Sequence, residues 1–229
     1  MDRPGLLKQL RDIGRLEDGA IDIGETALLL AALDRPDVPL EPYRDALATI
    51  ADEARECTGR THSVDMQIGA LIELLVGRWD LRGDEEAYDD PRNANLMHVL
   101  DRRRGLPVAL GVLWIHAGDA YGGNIVGLGF PSHFLVRIAA RGQRAILDVF
   151  HGGAVLQPED LRRMIKALRG PDRELDPSDY AAVETRDVLI RLQNNLKQRA
   201  LARIMHRGRL EVSDAQFSSS LGCARACRF

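Results

Sequence analysis

The sequence has few cysteines, no long apolar run and no large excess of charge of one sign. Its 229 residues include three cysteines, and neither histidines nor further cysteines complete a zinc pattern or a disulfide framework around them. No stretch reaches the roughly 20 apolar residues of a membrane span, and the N-terminus lacks the apolar region of a signal peptide. We therefore predict a cytoplasmic protein with no membrane partner.

The charge balance argues against a nucleic-acid partner. Lys and Arg number 31 against 34 Asp and Glu, which gives a net charge of -3 and a pI near 6.1. A local basic run at Arg102, Arg103 and Arg104 would permit duplex DNA binding, but such a run is more often a solvated helix end. The composition, 45% hydrophobic and 28% charged, is typical of a globular protein.

Helical periodicity dominates the first half of the chain. Apolar spacing predicts helices over 26–33, from Pro42 onward and over 63–79, and these should pack together. After an acidic loop, Asp90-Pro91 reads as an N-cap and first residue of a helix that Gly105 stops. A helix over 107–121 is apolar on most sides, which predicts burial at the centre of the domain.

Beyond residue 122 the period becomes strand-like. The segments NIVGLGF, SHFLVRI and AILDVF are short and separated by turn residues, and helices return over 157–168 and 185–206. Helices followed by strands predict an α+β fold with a small antiparallel sheet. We divide the chain into an N-terminal extension (1–24), a main domain (25–170), a helical segment (171–210) and a tail predicted to be poorly ordered (211–229).

Two side chains in the strand region could carry chemistry. Strand alternation, with a turn near Arg141-Gly142, places His133 and Asp148 on one face of two antiparallel strands, opposite or diagonal to each other. A histidine oriented by a carboxylate is the base half of a nucleophilic triad. A nucleophile would be expected at the start of the helix at 107, yet Pro107 and its neighbours supply none.

Other candidates around this pair have structural alternatives. Asn93, Asn95, Arg103 and His151 are ligand-binding candidates that could line a groove above His133, although capping, ion pairing or a turn explains each one. The His133–Asp148 pair itself could serve only the fold. A metal cluster of His116, His133 and His151 has no supporting spacing, so we predict neither a metal nor a cofactor. Cys57 is assigned a surface or packing role.

Several ordered motifs together resemble a known family. The runs YDDPRNANLMHVLDRRRGLPVALGVLW, VGLGFPSHFLVRI and ILDVFHGG, followed by LQPEDL, look like the bacterial SirB family. Its members are described as regulators of sirC expression that join a transglutaminase-like domain to tetratricopeptide repeats. The resemblance implies a transglutaminase-like, papain-like core with N-terminal helices, a central buried helix and C-terminal helices that start a repeat region.

The resemblance also assigns roles to the site residues. In catalytic members of the wider superfamily, a Gly-x-Cys turn opens the central helix, and by that pattern Gly105 matches the glycine and Pro107 the cysteine. His133 and Asp148 match the histidine and the aspartate. This implies a non-catalytic protein that binds a protein or peptide. The alternative is an amide hydrolase or acyltransferase that uses His133 and Asp148 with an unidentified nucleophile.

The C-terminus departs from the family pattern. The resemblance predicts repeat helices after residues 195–197, whereas the final SDAQFSSSLGCARACRF shows no sustained period. We hypothesise that a frameshift or truncation altered the residues after about Leu210.

Overall fold

The computed structural model describes residues 2–58 and 63–207, with side chains described as far as residue 202, and it confirms the α+β class. The helices are α1 (Arg3–Ile13), α2 (Ile23–Ala32), α3 (Glu41–Thr58), α4 (Val64–Leu71), α5 (Leu96–Arg102), α6 (Pro107–Ala120), α7 (Pro158–Arg169) and α8 (Thr185–Arg207). The strands are β1 (Arg82–Gly83), β2 (Arg104–Gly105), β3 (Asn124–Leu128), β4 (Leu135–Ala140), β5 (Gln143–Asp148) and β6 (Ala154–Leu156). The predicted tail at 211–229 and the altered sequence after Leu210 lie outside the described residues.

The N-terminal helices pack on one shared core. Asp22 caps α2 by accepting the Glu25 N–H, and all of α2 except Glu25 is buried. The stripe predicted for α3 points inward, since Tyr43, Leu47, Ile50 and Ala54 are all buried. Helix α1 also belongs to this core through Leu6, so the segment predicted as an extension packs against the domain.

Two predicted helices are each divided in the structure. The helix predicted over 63–79 is α-helical only in α4 and continues as a π-helical segment, Ile72–Arg78. The helix predicted from Asp90 to Gly105 consists of a 3-10 turn, Pro91–Ala94, and the separate α5. Asn95 causes the second break, because its backbone is extended and its side chain caps the new helix at the His98 N–H.

Helix α6 lies at the centre of the molecule, and eleven of its fourteen residues are buried. Pro107 is its first residue, where a missing N–H costs no hydrogen bond. Gly111 and Gly118 face the sheet side, and the absence of side chains there lets Phe134 and Ile125 pack directly on the helix. The prediction of a buried central helix is therefore confirmed.

The main sheet is antiparallel, with strand order β3-β4-β5-β6. β4 and β5 form a hairpin whose two loop residues, Arg141 and Gly142, both have positive φ, as a tight primed turn requires. β6 and the parallel pair β1–β2 were not predicted, because segments of two or three residues show no period.

Helix α8 completes the core from the C-terminal side. Its residues Val188, Leu189 and Leu192 are buried in the same cluster as α6 and α2. None of the helices in the described part of the chain combines the length and apolar character that crossing a bilayer requires.

Gly111→Ala tests the close packing of α6 on the sheet. A Cβ at Gly111 would lie closer to the buried Phe134 ring than van der Waals contact allows, so we expect a loss of about 1–3 kcal/mol in the free energy of unfolding. The matched control is Gly69→Ala in α4, where no atom of the described residues outside the helix backbone lies within 4 Å of the added Cβ, and we expect a gain of about 0.5–1 kcal/mol. Urea unfolding measures both, and equal effects would contradict the packing argument.

Candidate functional site

The carboxylate of Asp148, at the end of β5, is the centre of the site. It is only 5% exposed, and its Oδ2 lies 3.0 Å from His133 Nε2 and 2.8 Å from His151 Nδ1. Its Oδ1 accepts the backbone N–H groups of Phe150 (3.1 Å) and His151 (3.3 Å). Both oxygens of the buried carboxylate are thus satisfied by groups from two separate segments.

The turn after β5 brings His151 back to Asp148. Gly152 and Gly153 have φ of +70° and +80°, and the Gly153 N–H donates to the carbonyl of Asp148 at 2.9 Å. A Cβ at Gly153 would meet Trp114 of α6 at 2.7 Å, so the turn packs tightly on the central helix. The sequence does not predict the contact of His151 with Asp148, for which the i,i+3 spacing of the two residues is the available signal.

His133 lies in a bend before β4 and not on the strand, which corrects the predicted strand over 132–138. Ser132 has a left-handed backbone, φ 57°, which interrupts the strand alternation. The structure nevertheless brings His133 to Asp148. Val136 pairs with Leu147, and extension of this register puts His133 diagonal to Asp148.

A half-buried arginine holds the His133 bend. Arg191 of α8 donates to the His133 carbonyl at 2.9 Å and to the Phe130 carbonyl at 3.4 Å, and it lies over the Phe134 ring. Burial lowers the pKa of Arg191 from its ordinary value. A residue almost sixty positions further along the chain therefore fixes the backbone that carries the imidazole.

The start of α6 is connected to the Asp148 turn through β1 and β2. Gly105 of β2 pairs with Gly83 of β1, and the Gly83 N–H donates to the Phe150 carbonyl at 3.0 Å. Pro107 follows Gly105 by two residues and is buried. The first turn of the central helix and the histidine–aspartate pair are thus joined through one short chain of backbone contacts.

The two asparagine candidates are buried and hydrogen-bonded within the fold. Asn93 and Asn95 are both 0% exposed. The Asn93 amide donates to the Ala87 carbonyl and accepts from Arg102, whereas Asn95 donates to the Ala31 carbonyl and caps α5. Neither side chain has exposed surface for a ligand in this arrangement, which agrees with the structural alternative.

The three consecutive arginines, Arg102 to Arg104, also contact other side chains of the same chain. Arg102 pairs with Asp84 at 3.0 Å, and Arg104 pairs with Asp80 at 3.1 Å. Arg103 ends α5 with a left-handed backbone, and its guanidinium lies 4.6 Å from the centre of the Trp79 ring. These contacts give Arg103 a stacking role.

Two other residues considered in the sequence lie apart from Asp148. His116 Nε2 is 3.0 Å from the Leu47 carbonyl, so His116 bonds to α3 and not to His133 or His151. Cys57 is packed between α3 and α4, with Sγ 3.6 Å from the Ala54 carbonyl, and burial raises the pKa of its thiol. A raised pKa is the opposite of what an activated nucleophile needs.

Comparison with known proteins decides the family. The family model of the transglutaminase-like superfamily matches residues 41–194, which include α3 to α7, the sheet and the whole site around Asp148. The chain belongs to the transglutaminase-like superfamily. The predicted transglutaminase-like core is therefore confirmed.

Several relatives align with this transglutaminase-like chain over most of its length. A protein of Vibrio cholerae named UPF0162 protein is 32% identical over 183 residues, 80% of this chain and 67% of the relative. A UPF0162 protein of Xylella fastidiosa is 28% identical over 197 residues, 83% of this chain and 69% of the relative. Protein SirB1 of Salmonella typhimurium is 24% identical over 207 residues, covering 90% and 77%. No solved structure gives a significant match.

The contribution of the transglutaminase-like site to the stability of the fold should depend on pH through Asp148. Burial alone would raise the pKa of Asp148, but hydrogen bonds and charges from His133 and then His151 outweigh it and lower this pKa to about 2. Because the folded pKa lies below the unfolded value, the stabilisation is present above about pH 4 and is lost as the pH falls toward 2.

We predict that Asp148→Asn makes the free energy of unfolding less dependent on pH at acid pH. The wild-type chain should lose up to about 2 kcal/mol more than the variant between pH 5 and pH 2, measured by urea unfolding at each pH. Asp12→Asn, at an exposed pair on α1, is the control and should follow the wild-type curve. Parallel curves for wild type and Asp148→Asn would contradict the assigned pairing.

Arg191→Met tests the support of the His133 bend. Loss of the guanidinium leaves the Phe130 and His133 carbonyls without their donor, so we expect about 1–3 kcal/mol of destabilisation and faster amide hydrogen exchange over 130–134. Arg162→Met removes an exposed ion pair of α7 and should change stability by less than about 0.5 kcal/mol. Unchanged exchange at the bend in Arg191→Met would remove the positioning role.

Proposed function

We propose that this chain is a transglutaminase-like regulatory protein that binds a protein or peptide and does not use a thiol nucleophile. The observation that carries the proposal is Pro107 at the first residue of α6. By the family resemblance, that position holds the nucleophilic cysteine in catalytic relatives. A proline ring cannot attack a carbonyl, and the packed Cys57 on α3 has a raised pKa.

The contacts of the arginine run support a protein or peptide partner over a nucleic acid. Arg102 and Arg104 are engaged by Asp84 and Asp80, and Arg103 stacks on Trp79. Such pairing reduces the positive surface that phosphate contacts need. The proposed setting is the cytoplasm, and the proposed role is regulation of gene expression through a partner protein, by analogy with the SirB family. A repeat region that starts at α8 is part of the same proposal.

The alternative is an amide hydrolase or acyltransferase. It is favoured by the retained pair, in which His133 lies 3.0 Å from a carboxylate whose pKa is about 2 and which therefore stays ionised. An ionised aspartate would orient His133 and stabilise its protonated form, as in a triad. The attacking group would come from water, from the substrate or from another side chain.

His133→Ala separates the two functions. We expect no turnover of a panel of amides and esters above the buffer rate by wild type or variant, because the nucleophile position is a proline. Partner capture from a cytoplasmic extract, followed by reconstitution with the purified candidate, should give a saturable complex with the wild-type chain. Rates are followed by chromatography and binding by titration calorimetry.

The control is His98→Gln, which removes an imidazole on α5, away from Asp148. Turnover by wild type and His98→Gln that disappears in His133→Ala would reject the binding-only function and support the enzyme. Strong, salt-dependent binding to duplex DNA would reject the choice of a protein partner.

A further inference from the structure

Three potential metal ligands converge at the end of β5. His133 Nε2, Asp148 Oδ2 and His151 Nδ1 all lie within 4.8 Å of one another. Two imidazole nitrogens and one carboxylate oxygen are a ligand set that divalent transition metals such as Zn²⁺ accept, with a further position open to water or a ligand. His116, the third histidine of the cluster weighed in the sequence, lies against α3, and Asp148 takes its place in the ligand set.

The distances suit a small metal ion after the side chains adjust. Tetrahedral Zn²⁺ with bonds of about 2.0–2.1 Å holds its ligand atoms roughly 3.3 Å apart. The two nitrogens lie 3.0 Å and 2.8 Å from Asp148 Oδ2, so each of these two separations would have to open by about 0.3–0.5 Å. The two nitrogens lie within 4.8 Å of each other and would have to approach by up to about 1.5 Å. The His151 side chain is 54% exposed, which leaves it room to rotate.

The other carboxylate oxygen of Asp148 is held by backbone hydrogen bonds. Asp148 Oδ1 accepts the N–H groups of Phe150 and His151, and this directs Oδ2 to the two imidazoles. Such contacts orient metal-binding carboxylates in known sites. Without a metal, both imidazoles hydrogen-bond to Oδ2; a bound ion would instead give each nitrogen and Oδ2 a common partner.

The group is also accessible from solvent. His133 is about one-fifth exposed, and a surface cavity of about 330 Å³ lies between the His133 bend and Met164 and Leu168 of α7. His133 lines this cavity and the His151 side chain is about half exposed, so an ion can reach the site without unfolding of the core.

We propose that His133 Nε2, Asp148 Oδ2 and His151 Nδ1 bind one divalent transition-metal ion, with Zn²⁺ as the best fit, and leave one coordination position open. This inference concerns metal binding and does not depend on the proposed partner function. A chain that binds Zn²⁺ without turnover would satisfy both, and a chain that binds no metal would leave the partner function untouched.

Titration calorimetry of the metal-free chain, without a histidine tag, with ZnCl₂ tests the proposal. We expect saturable binding of one Zn²⁺ per chain by the wild type and by His98→Gln. His151→Ala and Asp148→Asn should bind at least tenfold more weakly. Circular dichroism establishes that each variant is folded, and His151→Ala is the safer variant because its side chain is half exposed.

Cobalt spectroscopy supplies a second measurement on the wild-type chain alone. Co²⁺ in a site with two nitrogens and one carboxylate should give visible absorption bands stronger than those of hydrated Co²⁺, and Zn²⁺ should remove them. Absence of saturable uptake by the wild type, a cobalt spectrum equal to that of the free ion, or unchanged affinity in folded His151→Ala would each overturn the proposal.

Discussion

One buried carboxylate holds the candidate site together. An ionised aspartate removed from water is costly unless every lone pair finds a donor, and Asp148 finds four: two imidazoles and two backbone N–H groups. The donors belong to the bend before β4 and to the turn after β5. The positions of His133 and His151 are therefore consequences of one electrostatic requirement, and a change in either segment is felt at the other.

Much of the fold was predictable because its signals are periodic and local. The stripe of α3, the apolar character of α6 and the turn at Arg141-Gly142 follow from spacing and residue type. The π-helical segment, the very short strands and the break at Asn95 were not, because they depend on tertiary contacts or on segments too short to show a period.

The site was predictable in its pair and not in its surroundings. Alternation and the family resemblance singled out His133 and Asp148, although Ser132 ends the strand before His133 is reached. The contact of His151 requires positive φ at two consecutive glycines, a backbone path that strand reasoning does not contain. Asn93 and Asn95 looked available because the sequence does not show which carbonyls their amides meet. Membership of a superfamily gives the fold, and the chemistry still has to be argued from the side chains.

The reach of α8 has a consequence for how the domain is delimited. Val188, Leu189 and Leu192 fill the same core as α6, and Arg191 ties the Phe130–His133 bend to that helix. The match to the superfamily likewise runs through residue 194. A fragment that ends after α7 would thus expose apolar surface along the central helix. It would also leave the bend that carries His133 without its support from Arg191. The smallest fragment that folds on its own therefore has to include α8 at least as far as Leu192.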